Sequence, residues 1–106
     1  MAFVSLNGQG AIDGYLLGFV SSRTPDHAVV HQCAVIPMVR RYGIGTKLYN
    51  KFFELAKKRD CHWVRSLVPR DSLGAIAFHR ALGFDELGGE EGDWLATDMI
   101  VFIRKL

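Results

Sequence analysis

Short apolar runs separated by polar turns occupy the first third of the chain, and this is the pattern of β-strands. A turn at residues 7–10, which contains Asn, Gln and Gly, divides the first two runs, and a turn with Pro and Asp precedes the third. Pro37 ends the third run because proline cannot donate a hydrogen bond to a strand ladder. The pattern predicts an antiparallel meander of three strands over residues 2–6, 15–21 and 27–36.

Beyond this meander the apolar residues recur at helical spacing. Ile44, Leu48, Phe52 and Leu55 fall on one face, with lysines and a glutamate on the others. This spacing predicts a helix over residues 43–59. The apolar run that follows it predicts a fourth strand over residues 61–68.

A second helix is predicted after this strand. Asp71 and Ser72 offer side chains for its N-cap, and Gly83 supplies the left-handed residue that commonly follows a helix C-terminus. We therefore expect the helix to run from about residue 73 to Leu82.

The remaining segments continue the alternation of strand and turn: a strand from Phe84, an acidic Gly-rich loop at 87–93 and a last strand at 99–103. The resulting order is β-β-β-α-β-α-β-β. It predicts a single α+β (mixed α/β) domain over residues 1–106, in which helices pack on a central mixed sheet.

The composition narrows the class of protein. Of the 106 residues 49% are hydrophobic and 23% are charged, which excludes a disordered or fibrous chain. No apolar run approaches the roughly 20 residues of a membrane span, and the N-terminus lacks the pattern of a signal peptide. Cys33 and Cys61 have no second pair to complete a metal site, and we expect both to be reduced thiols. A cytoplasmic protein with no metal and no membrane partner is predicted.

The charges are unevenly distributed. Ten of the 13 Lys and Arg residues lie in 40–80, and six of the 11 acidic residues lie in 85–98. The basic middle suggests an anionic ligand, although its lysines also fit the solvated face of a helix. Nucleic acid is not predicted, because Tyr49, Phe52 and Phe53 have the spacing of a core and not of an exposed stacking platform.

The turn from the third strand into the first helix carries the most chemistry. Arg40 and Arg41 precede two glycines, Gly43 and Gly45, at the point where the helix opens. Unpaired N–H groups and the helix dipole attract phosphate there, and glycines permit a close approach of its oxygens. The hydroxyl of Thr46 could add a further contact. The alternative is that the glycines only make the start of the helix more flexible, and that Arg40 and Arg41 are ordinary surface residues.

Two motifs in this sequence resemble those of a known family. The stretch Arg40-x-x-Gly43-x-Gly45, preceded by Val35-x-Pro37, is similar to the Arg/Gln-x-x-Gly-x-Gly/Ala motif of the GNAT superfamily of acyl-CoA-dependent N-acyltransferases. Downstream, residues 72–84 resemble the family's helix that ends in Gly-Phe. The resemblance covers residues 15–84 and extends to the final strand.

The resemblance implies an N-acetyltransferase that moves an acetyl group from acetyl-CoA to a primary amine of a small molecule, peptide or protein. The cofactor would lie between the third strand and the strand at 61–68, with its pyrophosphate on the N–H groups of 41–46. Its pantetheine arm would run along 34–36, where the N–H of Val35 would polarise the thioester carbonyl. The residues implied in acyl-CoA binding are Ala34, Val35, Arg40, Arg41, Tyr42, Gly43, Ile44, Gly45, Thr46, Ser72 and Phe78.

The candidate acid and base depart from the family pattern. His79 stands where the family usually has a tyrosine, and an imidazolium there could protonate the leaving thiolate. His31 is the candidate base, because strand alternation places it on the face of Cys33 and Val35. The alternative for each is a structural histidine. Ser72 replaces an asparagine that often contacts CoA, and helix capping is its alternative role.

The chain begins directly at the hairpin, whereas family domains usually begin with a strand and two helices. Without those helices a sheet edge and apolar surface stay uncovered, which predicts a homodimer. This departure also supports an alternative function, a catalytically silent CoA-binding or dimerising module.

Overall fold

The computed structural model describes residues 1–37, 43–87 and 98–106. The predicted order of strands and helices is confirmed. The elements are β1 Ala2–Leu6, β2 Ile12–Val20, β3 His27–Val35, α1 Ile44–Lys58, β4 Trp63–Pro69, α2 Leu73–Ala81, β5 Asp85–Glu86 and β6 Met99–Lys105.

The strands form one mixed sheet in the order β1-β2-β3-β4-β6-β5. The first three strands pair antiparallel, as the meander predicts, and β3 then pairs parallel with β4. Because a parallel pair needs a crossover connection, α1 carries the chain across the sheet between β3 and β4. The remaining pairs, of β4 with β6 and of β5 with β6, are antiparallel.

Helix α1 packs its apolar stripe on the sheet. Leu48, Phe52 and Ala56 are buried on this stripe, as the helical spacing predicts. Gly18 on β2 lies directly beneath the ring of Phe52, and a Cβ at this position would collide with the ring. The glycine therefore lets the helix approach the sheet closely.

Helix α2 covers the same face of the sheet as α1. The ring of His79 on α2 stacks on Phe102 of β6, with 5.4 Å between ring centroids. Phe102 pairs with Ser66 of β4, which lies opposite Val30 of β3, so these side chains share one face with the α1 stripe. The opposite face exposes large apolar side chains, among them Val4, Leu6, Ile12, Phe19 and Leu67.

The N-terminus of α2 differs from the prediction. Ser72 occupies the N-cap position, but no side chain makes a capping hydrogen bond there. Its ψ of 78° lies below the extended range usual for a capping residue, so the hydroxyl does not close on the first turn. The predicted stop is confirmed: Gly83 has a φ of +87°. In the described part of the chain, no helix is both long and apolar enough to cross a membrane.

Candidate active site

The site begins where β3 and β4 separate. The two strands pair at only four positions, from His27 opposite Trp63 to Val30 opposite Ser66. On its other side β3 pairs Val30 with Gly18 and Gln32 with Leu17, so that His31 is the extra residue of a β-bulge. Beyond this bulge a gap opens between the parallel strands.

A cavity of about 740 Å³ lies at the wide end of this gap. Its walls come from the end of β3, the start of α1 and the start of α2. The lining residues are Cys33, Ala34, Val35, Gly43, Gly45, Thr46, Ser72, Gly74, Ala75 and Phe78. The two stretches of sequence that carry the motifs therefore meet at one cavity.

The start of α1 presents a site for an anion to this cavity. Gly43 adopts the left-handed conformation with a φ of 73°, the first turn contains no acidic residue, and no side chain caps it. The N–H groups of the first turn and the positive end of the helix dipole therefore favour a negatively charged ligand. Gly45 has a different role. A Cβ there would lie 3.2 Å from the ring of Phe78, so the glycine keeps this ring in place against α1.

Most of the predicted cofactor residues in the described part of the chain line this cavity. They are Ala34, Val35, Gly43, Gly45, Thr46, Ser72 and Phe78. Ile44 differs, because its side chain is buried in the core beneath the helix start and lines neither cavity. Arg40, Arg41 and Tyr42 lie outside the described residues.

A second cavity of about 180 Å³ lies deeper in the gap between β3 and β4. It brings together the predicted acid and base, since His79 and His31 both line it. Cys33 and Ala75 line both cavities and so mark their junction. The bulge inserts His31 as an extra residue, so strand alternation from Cys33 does not by itself give the direction of the His31 side chain. His31 and Cys33 nevertheless line the same small cavity.

The ring nitrogens of His79 lie within hydrogen-bonding distance of three groups. Its Nδ1 lies 2.8 Å from the carbonyl oxygen of Ala75, and because a carbonyl only accepts, Nδ1 carries the proton. Its Nε2 lies 2.9 Å from the hydroxyl of Ser66 and 3.0 Å from that of Tyr49. Burial lowers the pKa of His79, although the bond to Ala75 raises it in part. The neutral ring is therefore favoured, and its Nε2 accepts a hydrogen bond instead of offering a proton.

Cys33 is a thiol and not a thiolate at the junction of the cavities. Burial raises its pKa to about 11. Because the thiolate is the nucleophilic form, this environment does not activate Cys33 for attack on a thioester.

Two residues of the smaller cavity were missed by the sequence analysis. Tyr49 lies on the core face of α1, where an aromatic residue is expected for packing, and its hydroxyl gave no separate signal. Ser66 offered a weak signal, because it is a polar residue between the buried Val64 and Val68 on the inward face of β4. Within the described ranges, no three His, Cys, Asp or Glu side chains are grouped so as to hold a metal ion.

Comparison with known proteins identifies relatives of this chain. A family model described as the acetyltransferase (GNAT) family matches residues 3–84. An uncharacterized N-acetyltransferase from Methanocaldococcus jannaschii is 44% identical over 68 residues, which are 64% of this chain and 30% of that protein. The chain thus matches less than a third of the length of this relative.

Solved structures share the fold. Nourseothricin acetyltransferase superposes with a TM-score of 0.84 at 23% identity, and the match covers 98% of this chain and 64% of that one. Ard1 from Thermoplasma volcanium superposes with a TM-score of 0.77 at 26% identity, covering 92% of this chain and 65% of that one. The mixed α+β fold predicted from the sequence is confirmed by these structures.

Proposed function

This chain belongs to the GNAT family of acetyltransferases, and on that premise we propose that it binds acetyl-CoA and transfers the acetyl group to a primary amine of a small molecule, peptide or protein. One observation carries the proposal. The cavity of about 740 Å³ joins the end of β3 to the starts of both helices, so it collects both motif stretches at one place. A helix start that favours anions at one end and an open strand gap at the other suit a ligand with a phosphate head and an extended arm.

We assign the cofactor to the larger cavity, and the chemistry of its walls supports this assignment. We place the pyrophosphate at the first turn of α1, where Thr46 lines the cavity, and retain Arg40 and Arg41 as charge partners from the sequence. Ser72 makes no capping bond, so its hydroxyl is available to the cofactor. We place the arm beside Ala34 and Val35, which line the cavity and lie beyond the last residue pair of β3 with β4.

The thioester then lies at the junction of the two cavities. An amine attacks its carbonyl carbon directly, the tetrahedral adduct expels the CoA thiolate, and the amine loses a proton. His31 is exposed and lines the smaller cavity, so we retain it as the base that removes this proton, directly or through water. The homodimer and the cytoplasmic location stay predictions of the sequence.

Calorimetric titration with acetyl-CoA tests the binding part of the proposal. Gly74 lines the larger cavity, and nothing lies within 4 Å of a Cβ placed on it, so Gly74→Glu adds a carboxylate at the cavity from a position with open space for its Cβ. Gly8, in the turn between β1 and β2, also has open space and serves as the matched control. We expect Gly74→Glu to weaken acetyl-CoA binding at least about tenfold, about 1.4 kcal/mol, and Gly8→Glu to bind like the wild type.

Release of free CoA thiol in the presence of a panel of amines tests the transfer. Thiol release that depends on the amine supports an N-acetyltransferase. Tight binding without release for any amine supports the silent CoA-binding module instead. A folded wild-type protein that does not bind acetyl-CoA would show that the proposed function is wrong.

A further inference from the structure

The hydrogen bonds around His79 leave one hydroxyl proton without a fixed acceptor. The single lone pair of the neutral ring is on Nε2, and two hydroxyls lie within reach of it, Ser66 at 2.9 Å and Tyr49 at 3.0 Å. The two hydroxyl oxygens are 3.4 Å apart, which is long for a bond between them. When one hydroxyl donates to Nε2, the proton of the other is therefore available to a ligand.

The position of Tyr49 decides which proton faces the ligand. Tyr49 lines the smaller cavity and its ring packs edge-on against Phe78, which lines the larger one, with 5.3 Å between ring centroids. The Cys33 thiol, which belongs to both cavities, is close enough to contribute to the pKa of Tyr49. The Tyr49 hydroxyl thus lies beside the junction. Ser66, on the last pair that joins β3 to β4, has the shorter distance to Nε2.

We propose that the Tyr49 hydroxyl donates the proton that the departing CoA thiolate takes up, and that Ser66 and His79 are positioning residues for it. This assignment rests on the proposed acetyl transfer. In it Ser66 donates to Nε2 of His79, and this bond occupies the lone pair that would otherwise hold the Tyr49 proton.

The transfer of atoms balances without a further reactant. The amine nitrogen forms a bond to the carbonyl carbon, the carbon–sulfur bond breaks, and its electron pair leaves with sulfur. The Tyr49 oxygen gives its proton to that sulfur, and the proton that His31 takes from the ammonium of the adduct returns to Tyr49 through water. Burial raises the pKa of Tyr49 to about 12, so the hydroxyl stays protonated between turnovers.

The pKa of the CoA thiol bound to the protein tests this assignment without a known acceptor. A hydroxyl that donates to the sulfur favours the thiolate and lowers the thiol pKa. The thiolate is followed by its ultraviolet absorbance during a pH titration of the complex with CoA. The protein thiols contribute little, since burial raises the pKa of Cys33 to about 11, and burial with the nearby Asp26 and Asp60 raises that of Cys61.

We expect the bound thiol of the wild-type complex to titrate about one pH unit below that of free CoA, and Tyr49→Phe to abolish this shift. Tyr15→Phe removes a hydroxyl from a side chain that lines neither cavity, so it should retain the shift. With an active amine, Tyr49→Phe should lower kcat by at least about 100-fold while the Kd of acetyl-CoA stays within about threefold.

Ser66→Ala provides a second measurement that leaves the aromatic packing intact. Without Ser66, Tyr49 is the hydroxyl left to satisfy Nε2, so the shift should shrink in this variant as well. If the thiol pKa of bound CoA is the same in the wild type, Tyr49→Phe and Ser66→Ala, the role assigned to Tyr49 is wrong. That result leaves the proposed acetyl transfer intact. Absence of CoA binding by the folded wild-type protein would overturn the proposed function and the assignment with it.

Discussion

The buried, neutral His79 predicts how the stability of the fold depends on pH. The side chain is 6% exposed and stacks on Phe102, and burial lowers its pKa below the value of about 6.5 that a histidine has in an unfolded chain. As the pH falls through that value, the unfolded state takes up a proton first. The free energy of unfolding should therefore decrease below about pH 6.5, and it should be unaffected by His79 above it.

The slope of this loss follows from proton linkage. Between the two pKa values the unfolded state binds one proton more, so each pH unit removes about 1.4 kcal/mol. This is a large fraction of the 5 to 15 kcal/mol or so that stabilises an ordinary domain. The decrease ends where the pH reaches the folded pKa, because both states are then protonated.

Urea unfolding followed by fluorescence, at a series of pH values, measures the effect. His79→Gln has no titrating group at this position and keeps an oxygen that can accept a hydrogen bond from Ser66. The variant will be less stable, but its pH slope below about 6.5 should be shallower than that of the wild type by up to about 1.4 kcal/mol per pH unit. The other three histidines are common to both proteins and cancel in the difference. Identical slopes, or a wild type that gains stability on acidification, would refute the buried neutral ring and restore the imidazolium acid.

Two further predictions concern packing and reactivity. Gly18→Ala should lower the free energy of unfolding by about 1 to 3 kcal/mol, since the added methyl group would collide with the Phe52 ring and lie 2.7 Å from the Val29 carbonyl oxygen. Gly8→Ala should change the same urea measurement by less than about 0.5 kcal/mol, and equal effects would contradict the close approach of α1 to β2. Cys33 should react slowly with iodoacetamide at neutral pH, with a rate that climbs towards pH 11, and acetyl-CoA should protect it. Fast neutral labelling that acetyl-CoA leaves unchanged would argue against both the raised pKa and the placement of the thioester.

The sequence predicts most of the fold because the spacing of its apolar residues agrees with the positions of the proline and glycine residues that end strands and helices. Pro37 and Gly83 are placed correctly as ends of elements, and the helical spacing from Ile44 onwards identifies the buried stripe of α1. Strand ends are less well predicted: β2 begins at Ile12, before the apolar run, because pairing with β1 continues past it. Pairing across strands is a tertiary property that local composition does not contain.

Part of the site depends on tertiary packing and could not be predicted from local sequence patterns. The motifs predict the walls of the larger cavity, but the bulge at His31 depends on the register of β2 against β3. The hydroxyls of Tyr49 and Ser66 reach the ring of His79 only because three separate elements pack together. Spacing alone assigns Tyr49 to the core, and it is both a core residue and a lining residue of the smaller cavity.

The four-position pairing of β3 with β4 is a short join between two halves of the chain, which share one hydrophobic core. One half is the meander with α1, and the other is β4, α2, β5 and β6. The larger cavity takes its walls from both halves, so a molecule that fills it contacts both of them. By linkage, the binding free energy that such a ligand gains from contacts with both walls adds to the free energy that holds the two halves together. If the chain were cut in the turn between α1 and β4, such a ligand should strengthen the association that the shared core already gives the two fragments.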